Sequence, residues 1–98
     1  IEPRHRSWAT PAADALLARY GIDRVLADPA PVSPADDFPE PVRYIRLHGA
    51  PTMYHSSYSD AEIRSFGGRL AADGWCVFDN TASGAAIENA LTMRDRPA

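Results

Sequence analysis

The sequence holds a single cysteine, Cys76, so it can close no intrachain disulfide. A chain without disulfides fits a reducing compartment, and the cytoplasm is the expected location. Long apolar runs are missing as well: nothing approaches the ~18 to 20 consecutive apolar residues that a membrane-spanning helix needs. The opening IEPRHRSW carries charged or titratable groups at Glu2, Arg4, His5 and Arg6, where a secretory leader would be apolar. No membrane partner is therefore expected. There is also little excess of charge. A net charge of -3 gives no global reason to bind nucleic acid or an anionic membrane, so any role on nucleic acid has to come from a local basic patch. The first residue is Ile rather than Met, which reads as a fragment or a processed start.

What is present is ordinary globular material. With 98 residues, 45% of them hydrophobic and 23% charged, the chain can bury one modest core and forms one domain at most. Residues 1–5 read as a strand end, which Pro3 confines to an edge, a terminus or a bulge. Thr10 as N-cap, Pro11 at the first helical position and Gly21 as stop predict a helix between them. Ile22 to Ala27 predicts a strand closed by Asp28, and the proline-rich, acidic stretch from Pro29 to Pro41 a long loop, either functional or mobile. In RYIRLHG, residues 43–49, alternation places Tyr44, Arg46 and His48 on one face and Ile45 and Leu47 on the other. Ser59 with Glu62 forms a capping box that predicts a helix to about Ala72, with Ile63, Phe66 and Leu70 as its buried stripe and Asp73-Gly74 as its stop. WCVFD, residues 75–79, reads as a strand, and residues 80–94 as a last helix.

Strands alternating with helices predict parallel βαβ units in an α/β fold. A complete eight-stranded TIM-type barrel needs ~250 residues, so four strands in 98 residues amount to about half of one, with two exposed edges. Such edges predict a homo-oligomer, or pairing with an absent N-terminal half.

Several segments together resemble the YecE-like family, also called domain of unknown function 72. They are E-P-R-H-R-S-W at 2–8, Asp28, R-Y-I-R-L-H-G at 43–49, S-S-Y-S-D-A-E-I at 56–63, F-D-N-T-A-S-G-A-A at 78–86 and N-A at 89–90. The resemblance spans nearly the whole chain. It implies a single TIM-type barrel whose C-terminal half, strands five to eight, is present here, with the N-terminal half absent. It implies no reaction, because the family carries no agreed activity.

Active sites of such barrels lie at the C-terminal ends of the strands. Those ends supply Glu2, Arg4 and His5, then Asp28, then Arg46 and His48, then Asp79 and Asn80. As Ile45 and Leu47 must face the surrounding helices, Arg46 and His48 turn towards the barrel axis. A buried arginine needs a partner there. Two ion pairs are expected, Glu2 with Arg46 and Arg4 with Asp28, as a structural network or as part of a site. His5, His48, Asp28, Glu2 and Asp79 are of the types that hold a divalent metal, although no contiguous metal motif is present. Without a metal, His48 can act as general acid or base while Arg46 steadies a carboxylate or phosphate. The expected catalytic set is therefore Glu2, His5, Asp28, Arg46 and His48, and the ligand-binding set Arg4, Trp8, Tyr58, Asp79, Asn80 and Ser83.

Each of these residues also has a plain structural role open to it. Asn80, Thr81 or Ser83 can be the N-cap of the last helix rather than, with Gly84, part of an anion site. Met53, Tyr54, His55 and Tyr58 can cover a ligand or pack their loop down. Trp8 can line a pocket or fill the core, and Cys76 is expected to be an inert interior thiol. Three functional readings stay open: a hydrolase or lyase acting on a phosphate-bearing substrate, a non-catalytic nucleotide or nucleic-acid binding module, and a half-barrel acting only through oligomerisation.

Overall fold

Local chemistry accounts for the helix starts in the computed structural model, which describes residues 1–34 and 37–97. Thr10 Oγ1 accepts the Ala13 N–H at 3.1 Å and Pro11 takes the first helical position, so helix α1 spans Pro11–Arg19 and Gly21 turns out of it at φ 64°. Helix α2, Asp60–Arg69, opens on the capping box: Ser59 Oγ accepts the Glu62 N–H, and the Glu62 carboxylate accepts the Ser59 N–H. Helix α3, Ala85–Arg94, differs. Its N-cap is Gly84 at φ 81° with no side-chain cap, so none of Asn80, Thr81 and Ser83 caps it, and it begins five residues later than expected.

Three strands form among the described residues: β1 Leu26–Asp28, β2 Val42–Leu47 and β3 Leu70–Phe78. They make one parallel sheet in the order β1-β2-β3, with Leu26 opposite Ile45 and Ile45 opposite Cys76. The strand end expected at residues 1–5 does not form. The Ile1 ammonium donates to the Asp23 carbonyl and the Ile1 carbonyl accepts the Val25 N–H, both at 2.8 Å, but Pro3 has no N–H with which to continue a ladder. β1 starts at Leu26 rather than Ile22 because the Ile22 N–H is taken by the Leu17 carbonyl at the end of α1. Helix α2 stops at Arg69, before Ala72, and the chain is extended from Leu70; Asp73-Gly74 falls inside β3, where the register shifts opposite Val42 to Tyr44. Glycine is needed at 74, since a Cβ would lie 3.0 Å from the Arg43 carbonyl oxygen and 3.1 Å from that of Ala71. The predicted loop from Pro29 to Pro41 contains no strand or α-helix among its described residues; residues 35 and 36 lie outside them.

One face of the sheet carries the core. Leu26, Ile45, Leu47 and Ile63 are fully buried, and Val42, Tyr58 and Met93 complete the cluster with Phe66, Cys76 and Phe78 packed against it. Burial of each large aliphatic side chain contributes about 1.5 to 3 kcal/mol. The molecule is 18 Å thick in its shortest dimension, the depth of one sheet and one helix layer. The other face is only partly covered: Ala27, in one row with Arg46 and Val77, is buried, whereas Trp75, beside Tyr44 in another, is exposed. The result, among the described residues, is a mixed α/β fold of three parallel strands and three α-helices. No helix among the described residues is long and apolar enough to cross a membrane.

Candidate functional site

Alternation along β2 and the residue after it decides where the polar side chains go. Ile45 and Leu47 enter the core, so Arg46 and His48 emerge on the opposite face. At the C-terminal ends of β2 and β3, His48 is almost fully buried between two carboxylates. Its Nε2 lies 3.1 Å from Glu2 Oε2 and its Nδ1 3.0 Å from Asp79 Oδ2. Arg46 Nη2 donates to the same Asp79 oxygen at 3.1 Å, and Arg46 Nη1 stands 3.6 Å from Glu2 Oε1, which closes a ring of four side chains. Arg4 adds a second guanidinium on Glu2 Oε2.

The ring has a definite proton requirement. A neutral imidazole donates from one nitrogen only, so both carboxylates receive a hydrogen bond from His48 only when both ring nitrogens are protonated. Its charges are graded by exposure: the side chain of His48 is 2% exposed and that of Glu2 10%, against 30% for Asp79, 39% for Arg46 and 55% for Arg4. Thus Asp79, Arg46 and Arg4 face outward while His48 and Glu2 stand behind them. Glu2 Oε1 is buried without a hydrogen-bond donor, since 3.6 Å is too long for one.

A second network holds the chain after His48. The buried Tyr58 hydroxyl accepts the Gly49 N–H at 2.8 Å and donates to Asp28 Oδ2 at 2.9 Å, while the His48 N–H reaches the Asp28 carbonyl at 2.8 Å. Burial pushes the Tyr58 phenol above its ordinary range, and the adjacent Asp28 carboxylate adds to that rise. Tyr54, at φ 68°, stands edge-on to the His48 ring with 6.1 Å between centroids. Asn80, fully buried, donates to the Ser56 carbonyl and to Asn89 Oδ1, and Ser83 Oγ donates to the His55 carbonyl.

The structure therefore brings together Glu2, Arg4, Arg46, His48 and Asp79. It does not bring in the rest. Asp28 sits opposite Leu47 in the register, so its side chain turns to the helix-covered face and meets Tyr58 instead of Arg4. His5 caps the 3-10 turn Arg6–Trp8 through the Ser7 N–H, and the half-buried Trp8 offers its carbonyl to Arg24. Tyr58 belongs to the core, and Asn80 and Ser83 pin residues 55 and 56. With His5 and Asp28 elsewhere and both His48 nitrogens engaged, the described residues contain no group of three or more His, Cys, Asp or Glu side chains arranged to hold a metal ion.

Asn89 escaped the sequence reading as a site residue. It accepts the Tyr58 N–H at 3.1 Å and donates to the Tyr58 carbonyl at 3.2 Å, so one amide fixes residue 58 from α3. A signal was available: Ala86, Asn89 and Met93 share the buried stripe of α3, and an asparagine inside a helix on that stripe needs hydrogen-bond partners across the packing interface.

Helices packed on one face of a parallel sheet, with a histidine held within hydrogen-bond distance of two carboxylates at the strand ends, define an α/β protein with a candidate acid–base cluster. The chain belongs to the DUF72 family: the family model described as "Protein of unknown function DUF72" matches residues 1–98. Two solved structures share the fold. A DUF72 family protein from Thermotoga maritima MSB8 superposes with a TM-score of 0.70 at 23% identity, over 93% of this chain and 42% of its own. One from Enterococcus faecalis V583 gives a TM-score of 0.69 at 23% identity, over 96% and 45%. The chain thus spans less than half the length of these relatives. No curated protein matches it.

Proposed function

We propose that the chain forms part of a TIM-type (βα) barrel and carries out acid–base chemistry on a phosphate-bearing substrate at the C-terminal ends of its strands. The observation that supports this most is the clamping of His48 between Glu2 and Asp79 with two guanidiniums beside them. In this reading Arg46 and Arg4, the more exposed cations, receive the phosphate. Asp79 takes or gives the proton at the substrate. His48 is the positioning residue behind Asp79, whose oxygen it holds through Nδ1, and Asp79 regains its state by giving the proton it took to the leaving group. A reaction of hydrolase or lyase type needs such a group, which contributes roughly 10²- to 10⁴-fold in rate. The exposed guanidiniums also favour a second reading, a non-catalytic nucleotide or nucleic-acid binding module.

The test is hydrolysis of 4-nitrophenyl phosphate and bis(4-nitrophenyl) phosphate by the wild-type chain and by Asp79→Asn and Arg46→Met, with folding followed by circular dichroism. Turnover that falls about 100-fold or more in folded Asp79→Asn supports the acid–base role. No wild-type turnover, together with oligonucleotide binding that weakens as salt rises, replaces it with the binding reading.

A further inference from the structure

Among the described residues, Tyr54 alone has a left-handed backbone without being glycine, at φ 68°. Glycine and asparagine take that conformation readily, whereas a tyrosine in it is strained. The fold nevertheless holds it there from two sides. Its N–H donates to the His48 carbonyl at 2.6 Å and its carbonyl accepts the Ala82 N–H at 3.0 Å, so the residue is pinned between the segments that follow β2 and β3. The side chain gives the fold little in return. Tyr58, 5% exposed, is the aromatic anchor of this loop in the core, and Ser56, Asn80 and Ser83 tie down the rest by hydrogen bonds. Tyr54 is 45% exposed, and its one aromatic contact among the described residues is the edge-on meeting with the His48 ring.

An aromatic ring that is fixed by its backbone yet half exposed is a platform for stacking, since its ordering is complete before a ligand arrives. It also stands at the acid–base cluster. The Tyr54 ring meets His48, His48 Nδ1 meets Asp79 Oδ2, and the same oxygen holds Arg46, so three successive contacts join the ring to the guanidinium and a molecule of nucleotide size reaches both. We propose that Tyr54 is a specificity-determining residue of this site and that the substrate class is a phosphate ester carrying a planar ring: the ring stacks on Tyr54 while the phosphate lies on Arg46 and Arg4. A nucleoside monophosphate and an aryl phosphate both have that chemistry. A sugar phosphate without a planar ring leaves the platform unused. The inference rests on the preceding reading for the position of the phosphate alone, and needs neither turnover nor a proton at Asp79.

Equilibrium binding of adenosine monophosphate, phenyl phosphate and ribose phosphate to the wild-type chain, Tyr54→Phe and Tyr54→Asn tests it, with thermal unfolding measured alongside. Wild type and Tyr54→Phe should bind a ring-bearing ester about tenfold or more tightly than ribose phosphate, the effect of one stacked ring. Tyr54→Asn should lose that preference. Preference for adenosine monophosphate over phenyl phosphate marks a nucleotide as the source of the ring, and the reverse marks an aryl ester. Because asparagine takes the left-handed backbone at less cost, Tyr54→Asn should unfold no more than about 4 °C below the wild type, or above it. Asp79→Asn should keep the ring preference even where turnover is lost, which separates this inference from the acid–base role. A wild-type chain that binds ring-bearing esters no better than ribose phosphate, a preference that survives Tyr54→Asn, or a Tm lowered by more than about 4 °C in that variant, which assigns the ring to the fold, would each overturn the proposal.

Discussion

Replacing Tyr58 by Phe removes one oxygen atom and tests how the chain after His48 is held. The ring should stay in place, since it packs edge-on against Phe66 with 6.1 Å between centroids and lies in the core cluster. What goes is the hydroxyl that accepts from Gly49 and donates to Asp28. A hydrogen bond to a charged group is worth about 1.5 to 3 kcal/mol, and an orphaned buried N–H costs about 1 to 3 kcal/mol. The two losses share one atom and are not additive, so about 2 to 4 kcal/mol is expected. For a chain of this size that is a large fraction of a stability of roughly 5 to 10 kcal/mol. Urea unfolding should show a midpoint lowered by more than about 1 M at unchanged slope. The pH dependence follows from the raised phenol. The unfolded tyrosine ionises near ~10 and the folded one higher, so stabilisation by the buried phenol is complete below ~10 and is lost as the pH rises beyond it. The gap between wild type and Tyr58→Phe should therefore narrow above pH ~10. A loss below about 1 kcal/mol at neutral pH, or a gap that widens in alkali, would refute the reasoning.

Two further outcomes are expected. Burial pushes the Cys76 thiol up to about 12, partly opposed by Arg96, so it should resist Ellman's reagent at pH 8 until the chain unfolds. Its stabilising contribution is complete below pH ~9 and declines between there and about 12; rapid labelling of the native chain at pH 8 would contradict this. Gly49 adopts φ 101°, and a Cβ there would meet the Thr52 carbonyl oxygen at 3.1 Å and the Tyr54 nitrogen at 3.2 Å. Gly49→Ala should cost about 2 kcal/mol or more and lower Tm by about 8 °C or more; a drop under about 4 °C would show that the turn can relax.

The features read correctly before folding were local ones. Thr10 with Pro11 and Ser59 with Glu62 each satisfy helix N–H groups within four residues, so their geometry is written in short sequence windows. The face of β2 was legible because strand periodicity is two, and the ion pair of Glu2 with Arg46 followed from the need of a half-buried arginine for a partner. The segments that mark the family are likewise contiguous. The errors lie where distant residues compete for one group. Ile22 lost its strand amide to Leu17, Asp28 went to Tyr58 rather than Arg4, and α2 gave up its last turn to pairing with β2.

By itself, then, the sequence determined the starts of α1 and α2, the α/β class and the placing of Arg46 and His48 on the sheet face opposite Ile45 and Leu47, because each depends on neighbours a few residues apart. Only the tertiary structure decided that His48 is held between Glu2 and Asp79, 46 and 31 residues away, and that Asn89 fixes Tyr58. Register and helix packing set those contacts, and no local pattern encodes either. The same holds for the partly covered sheet face: the exposure of Trp75 and the unpartnered Glu2 oxygen became visible only once the strands were paired.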